Sequence, residues 1–158
     1  MNSELITSWA EHDISLLKIL ELASQTLCIF DADLSKLKLE RPANAELLRR
    51  FLSSDRQHRL HIAVKNAEPF RRESPRLMKL LATYTQNMTV IECPPHLASL
   101  NDSMCIADDR HALIRFHTDS ARAKTIIDNI EECAPYVQRF EDILKEGGEQ
   151  VCASTLGL

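Results

Sequence analysis

Apolar residues fall at helical spacing from Ile14 through Leu16, Leu17, Ile19, Leu20 and Leu22, so a helix is predicted to about Ser24, with Asp13 as its cap. The period then changes. Thr26 to Leu34 is short, with β-branched and aromatic residues at its start, and reads as a strand over 26 to 31 that leaves the sheet at Asp31 and Asp33. Beyond Pro42, the positions of Leu47, Leu48, Phe51 and Leu52 predict a second helix, capped by Asn44 and closed by the polar turn Ser53 to Gln57. From Arg59, Leu60, Ile62 and Val64 alternate with His61, Ala63 and Lys65, the period of a strand.

Ser74 and Pro75 form a helix start, because proline at the first helical position lacks only an N–H that would have no partner there. The stripe that follows is Leu77, Leu80, Leu81 and Tyr84. Met88 to Cys93 is predicted as a strand stopped by Pro94 and Pro95, and a short turn carries His96 and Leu97. Ser103 to Ala107 and Ala112 to His117 form a hairpin joined at Asp108 to His111, and Lys124 to Asp128 adds a short strand. Cys133, Tyr136, Val137, Phe140, Ile143 and Leu144 then mark one buried face of a final helix, which Gly147 and Gly148 end. Helices and strands alternate early and a hairpin comes late, which predicts an α/β domain with a mixed sheet flanked by helices.

Composition narrows the class without choosing a reaction. At 158 residues and 18.0 kDa the chain is expected to form a single domain over 1–158. Hydrophobic residues at 44% and charged residues at 27% exclude disordered chains, and three glycines exclude collagen-like ones. Nineteen basic against 23 acidic residues leave a formal charge of −4, so nothing draws the whole molecule to a membrane surface, and nucleic acid would need a local patch. Met1 to Ala10 lacks a cationic start and an apolar core, so the protein is expected in the cytoplasm. The five cysteines include no C-x-x-C pair, which argues against a disulfide framework or zinc finger, and four lie in apolar segments as small core residues.

The hairpin's second strand is the best place for chemistry. Alternation puts His111, Leu113, Arg115 and His117 on one face, and an arginine with two histidines could hold a phosphate and supply a proton. The plainer reading is an edge strand with one wet face. Asp108, Asp109, His111 and His117 offer metal-type donors but match no ligand spacing, so no metal is expected. Cys105 near a histidine lacks the surroundings of an activated thiolate. Arg49, Arg50, Arg56 and Arg59, with Arg71, Arg72 and Arg76, could line a phosphate-binding edge, yet few aromatic residues are present for base stacking, and a solvated helix surface is the simpler account. Neither a glycine-rich phosphate loop nor G-x-S-x-G occurs, so no cofactor is expected.

Leu100 to His117 (LNDSMCIADDRHALIRFH), followed by Ala134 to Ile143 (APYVQRFEDI), resembles a phospholipase D-like half. That superfamily carries H-x-K-x-x-x-x-D on a strand entering a hairpin, then a short strand and an amphipathic helix. With Asp108 on the motif's aspartate, Asn101 stands at the histidine and Ser103 at the lysine. The order of the preceding helices and strands extends the resemblance over nearly the whole chain. More narrowly, the chain looks like small bacterial proteins that keep this fold, have an A-D-D-R-H-like hairpin (Ala107 to His111) and lack both catalytic residues. Asparagine and serine cannot replace a histidine that forms a covalent intermediate or a lysine that steadies phosphate charge.

The resemblance therefore implies a pseudoenzyme that binds a protein or a phosphate-containing ligand around Asn101, Ser103, Arg115 and His117. It also implies a homodimer, since active single-motif members need two halves for one site. The alternative is a phosphodiesterase or nuclease with a relocated site, using His117 or His111 with Arg115, and Asp108 as a further candidate. A redox or acyl-transfer enzyme built on Cys105 is a third reading.

Overall fold

The computed structural model describes residues 3–153; the outermost positions of the expected domain, 1–2 and 154–158, lie outside the described residues. The chain runs β1 (Ser3–Ile6), α1 (Trp9–Leu22), β2 (Thr26–Asp31), α2 (Pro42–Ser54), β3 (Arg59–Val64), α3 (Glu68–Glu73), α4 (Pro75–Thr83) and β4 (Met88–Glu92). A 3-10 turn at Pro95–Leu97 leads to β5 (Ser103–Ala107), β6 (His111–Arg115), β7 (Ala123–Ile126), α5 (Ile130–Lys145) and β8 (Glu149–Gln150). One mixed sheet results, in the order β1-β7-β6-β5-β2-β3-β4-β8. Strands β2, β3 and β4 are parallel and every other pairing is antiparallel.

Alternation along the strands divides the apolar residues between two cores. Leu60, Ile62 and Val64 join residues of α1, α2, α3 and α4 in the larger core, while Ala63 lies in the smaller one with Cys133, Phe140 and Ile143 of α5. Tyr136 was expected to be buried with Phe140 and Ile143 but is half-buried, because it lies toward the rim where Lys124 sits 5.9 Å from its ring centre. Among the described residues no helix is long and apolar enough to cross a membrane.

Helix starts account for several differences from the sequence reading. Asp13 does not cap α1. Ser8 does, its Oγ accepting from Glu11 N at 3.1 Å while the Glu11 carboxylate accepts from Thr7 N and from Ser8 Oγ. Starting at Trp9 rotates the buried stripe to His12, Leu16, Ile19 and Leu20, and leaves Ile14 69% exposed. Asn44 is not a cap either. Pro42 opens α2, and the Asn44 amide donates back to the Lys38 carbonyl at 2.9 Å. Ser74 precedes α4 without capping it, because the Glu40 carboxylate takes the N–H groups of Arg76 and Leu77 at 2.7 and 3.1 Å.

The hairpin differs most from expectation. Strand β6 starts at His111 and ends at Arg115, two residues before its expected end, and all five of its residues are buried. It is no edge strand. It lies between β5 and β7, and α1 and α5 pack against it, so no wet face remains.

Candidate functional site

Arg115, Ser103 and Asp31 converge where three adjacent strands end or begin. Ser103 opens β5 directly opposite Arg115 at the end of β6. Met104 pairs with Phe30, which puts Asp31, the last residue of β2, one step along beside Ser103. Helix α1 crosses this face and brings Trp9 and His12 down onto it. Arg115 and Asp31 are each 1% exposed, and His12 is fully buried.

The guanidinium holds the cluster together. Its Nη2 donates to Asp31 Oδ1 at 2.7 Å and its Nη1 to His12 Nε2 at 3.0 Å. Because Arg115 can only donate, His12 must accept at Nε2 and carry its proton on Nδ1, from which it donates to Asp13 Oδ1 at 3.3 Å. Burial pushes the His12 pKa below its ordinary value, in keeping with that neutral form. Burial also lowers the pKa of Arg115, against the opposing pull of Asp31, although an arginine stays cationic at any working pH. The second Asp31 oxygen accepts from Asp33 N at 3.1 Å and Leu34 N at 2.7 Å, which fixes the turn where Leu34 takes φ of 73°.

Trp9 closes the cluster from outside. Its ring lies 5.4 Å from the Arg115 guanidinium carbon and meets His12 edge-on at 5.2 Å. Lys36 sits 5.6 Å from the same ring. Arg115 Nε is buried and has no hydrogen-bond partner among the described residues. The guanidinium is already neutralised by Asp31. The cluster offers no base beside a nucleophile, since the one histidine in it is occupied at both ring nitrogens.

The other candidates are scattered. Asn101 is exposed ahead of β5, and its carbonyl accepts from Thr118 N at 2.7 Å. The loop before it is strapped down by Lys65, whose ammonium donates to the carbonyls of Ala98 and Leu100. His117 lies beyond β6, is exposed, and accepts from Asp119 N at 3.2 Å, so the chain has left the strand before His117 could share a face with Arg115. His111 is at the opposite end of β6, about 13 Å from Arg115 at the rise of an extended strand, and accepts from Asp128 N.

Asp108 has a structural occupation. Its carboxylate accepts from the N–H groups of Ser24, Gln25 and Thr26 at 2.7 to 3.2 Å and from Ser24 Oγ at 3.0 Å, tying the hairpin to the start of β2. Asp108, Asp109, His111 and His117 therefore do not gather into one set of donors. Five of the seven arginines are ion-paired, Arg49 and Arg50 with Glu46, Arg72 with Glu68, Arg71 with Glu149 and Arg76 with Glu40, while Arg59 donates to the carbonyls of Arg56 and His58.

Cys93, Cys105 and Cys133 are buried, Cys28 is half-buried and Cys152 is exposed. Burial pushes the Cys28 thiol up to about 12 and that of Cys133 to about 11, and raises Cys105 too, the reverse of what a nucleophile needs.

Sequence reasoning missed Trp9, His12 and Asp31 as members of the cluster. The signal was present in Ser8 and Glu11, a serine and glutamate three apart, which start the helix at Trp9 and so extend the buried stripe of Leu16 and Ile19 back to His12.

Comparison with solved structures places the fold. Nuc from Salmonella typhimurium, a phospholipase D family member, superposes with a TM-score of 0.62 at 12% identity, covering 95% of this chain and 97% of Nuc. NucT from Helicobacter pylori gives 0.60 at 11% identity, over 93% of this chain and 98% of its own. TrmBL2, described as an archaeal chromatin protein with a novel mode of DNA binding, gives 0.68 at 13% identity over 96% of this chain. The chain spans about half of TrmBL2, 55% of its length. The fold is thus phospholipase D-like. No curated protein matches by sequence. The family model described as Domain of unknown function (DUF7931) matches residues 9–150.

Proposed function

The chain belongs to the DUF7931 family, and on that premise we propose that it is a non-catalytic phospholipase D-like module that binds a partner or a phosphate-containing ligand. The observation that carries this reading is Arg115. It is the cross-strand partner of Ser103, the position of the motif's lysine in the family resemblance, yet it is 1% exposed and ion-paired to Asp31 at 2.7 Å. A catalytic cation must face the reacting phosphate, and one held inside an ion pair cannot follow charge that develops elsewhere. Asn101 and Ser103, at the other motif positions, supply no imidazole and no positive charge.

Binding would use the exposed Asn101 and His117, in the segments next to β5 and β6 that the Thr118 N to Asn101 carbonyl bond holds together, with Ser103 and Arg115 buried beneath. The same reading includes a symmetric homodimer and a cytoplasmic location. Sedimentation at a monomer mass of 18.0 kDa over a wide concentration range would remove the dimer.

A phosphodiesterase with a relocated site is the second reading, favoured by the likeness to a phospholipase D family member and by the exposure of His117. Hydrolysis of bis(p-nitrophenyl) phosphate and nicking of plasmid DNA, with and without divalent metal, separate the two. No turnover is expected, because losing a single positioned electrostatic donor costs about 100-fold or more. Turnover that survives repurification and disappears in His117→Ala would overturn the non-catalytic reading.

A further inference from the structure

Helices α2 and α4 lie side by side, and between them is an open groove of about 470 Å³. Its floor is apolar, made by the buried Ala45 and Leu80, and Pro42 and Tyr84 line it as well. Its rim is cationic. Arg49, Arg76 and Lys79 line it, with Glu46 as the one acidic lining residue.

The charges do not cancel. Glu46 is engaged by Arg49 at 2.7 Å and Arg50 at 3.2 Å, and Glu40 is occupied by the backbone N–H groups at the start of α4. Arg76 reaches Glu40 only through Nη1, at 3.6 Å from its carboxylate. Lys79 is exposed and forms no ion pair among the described residues. Four cations thus meet two carboxylates in a molecule whose formal charge is −4. A local excess of the opposite sign to the whole protein, around an apolar floor of ligand size, selects for an occupant with both properties.

We propose that this groove binds a small amphiphilic anion, an apolar body bearing a phosphate headgroup, with Lys79 and Arg76 on the headgroup and Ala45, Leu80 and Tyr84 against the body. Arginine offers phosphate a forked pair of donors and lysine adds a point charge, so a dianionic head suits the pair better than a neutral polar one. The aliphatic floor favours an alkyl body over a nucleoside, whose ring edges would find few partners there. No residue lining the groove belongs to the Arg115 cluster, and neither reading depends on the other.

The test is titration of the full chain with n-octyl phosphate, followed by calorimetry and by amide NMR. The expected result is saturable one-to-one binding, with shift changes centred on Ala45, Leu80 and Tyr84. Lys79→Glu should weaken it at least tenfold, and Lys79→Arg should keep affinity within about threefold. Octyl glucoside, inorganic phosphate and adenosine monophosphate should each bind at least tenfold more weakly. Lys79 is exposed, so both variants should melt like the parent. Equal binding of octyl glucoside, shifts centred on another surface, an unaffected Lys79→Glu or no binding at millimolar ligand would each overturn the proposal. Tighter binding of adenosine monophosphate than of octyl phosphate would overturn the alkyl assignment.

Discussion

Replacing Asp31 by alanine tests whether the cluster beneath α1 is held by charge. The Arg115 to Asp31 contact is 2.7 Å, and both side chains are 1% exposed, so solvent screens the pair very little. Asp31→Ala leaves the guanidinium buried with a neutral imidazole and an indole face, its Nε already without a partner. Stranding one half of a buried pair costs about 3–5 kcal/mol. The lost acceptor at Leu34 N, itself a buried contact at 2.7 Å, adds about 1 kcal/mol or more. An expected loss of about 4–6 kcal/mol is a large part of the roughly 5–15 kcal/mol that holds a domain of this kind together. Urea melts of Asp31→Ala, Arg115→Met and the double variant measure it. The double variant should be more stable than Asp31→Ala, since removing the stranded cation relieves its desolvation cost. A loss below about 1 kcal/mol for Asp31→Ala, or single effects that simply add, would refute the claim that charge organises the cluster.

Asp108→Ala should destabilise by about 1–2 kcal/mol, because three backbone N–H groups lose their acceptor, and Asp108→Gly should lose less, since φ at this position is 56°; thermal melts rank the two. Phe140→Ala should cost about 3–5 kcal/mol in denaturant melts, given its 2% exposure in the core beneath α5. Stability should fall as pH drops through about 6.5, because burial lowers the folded-state pKa values of His12, His61 and His111, so the unfolded chain takes up protons first. Melts from pH 8 to pH 5 check the sign, and replacing His61 by glutamine should flatten the slope.

The period of the apolar residues made most of the fold legible. All five strands expected from 26 to 117 are present, and the final helix buries Cys133, Phe140 and Ile143 as its spacing required. Strands β1 and β8 were not legible, since Ser3–Ile6 and Glu149–Gln150 are short and mostly exposed, and exist because they pair with β7 and β4. The cluster was legible only in part. Alternation singled out Arg115 and the family resemblance Ser103, but whether β6 was an edge or an interior strand depended on β7 and β1, pairings that no local pattern encodes.

A surviving motif aspartate is weak evidence for chemistry when the fold needs that aspartate for itself. Asp108 sits at φ 56° in the hairpin turn, where aspartate tolerates the left-handed region better than most residues, and from there its carboxylate gathers the start of β2. That role ties the hairpin to the parallel part of the sheet whether or not a phosphate is ever bound. Asn101 and Ser103 are under no such demand, since among the described residues their side chains make no hydrogen bond that spans the fold, and a histidine or lysine there would be needed only by a reaction. On the non-catalytic reading proposed above, Asn101 and Ser103 stand where only a reaction would demand other side chains, while Asp108 is the residue the fold itself uses. Restoring Asn101→His and Ser103→Lys together should therefore not restore hydrolysis: the new ammonium would arrive opposite Arg115, beside a cation already paired with Asp31, and would have to displace that pair to reach a substrate. Turnover of bis(p-nitrophenyl) phosphate by the double variant would show that the site needs only its two missing side chains, and that Arg115 does not stand in the way.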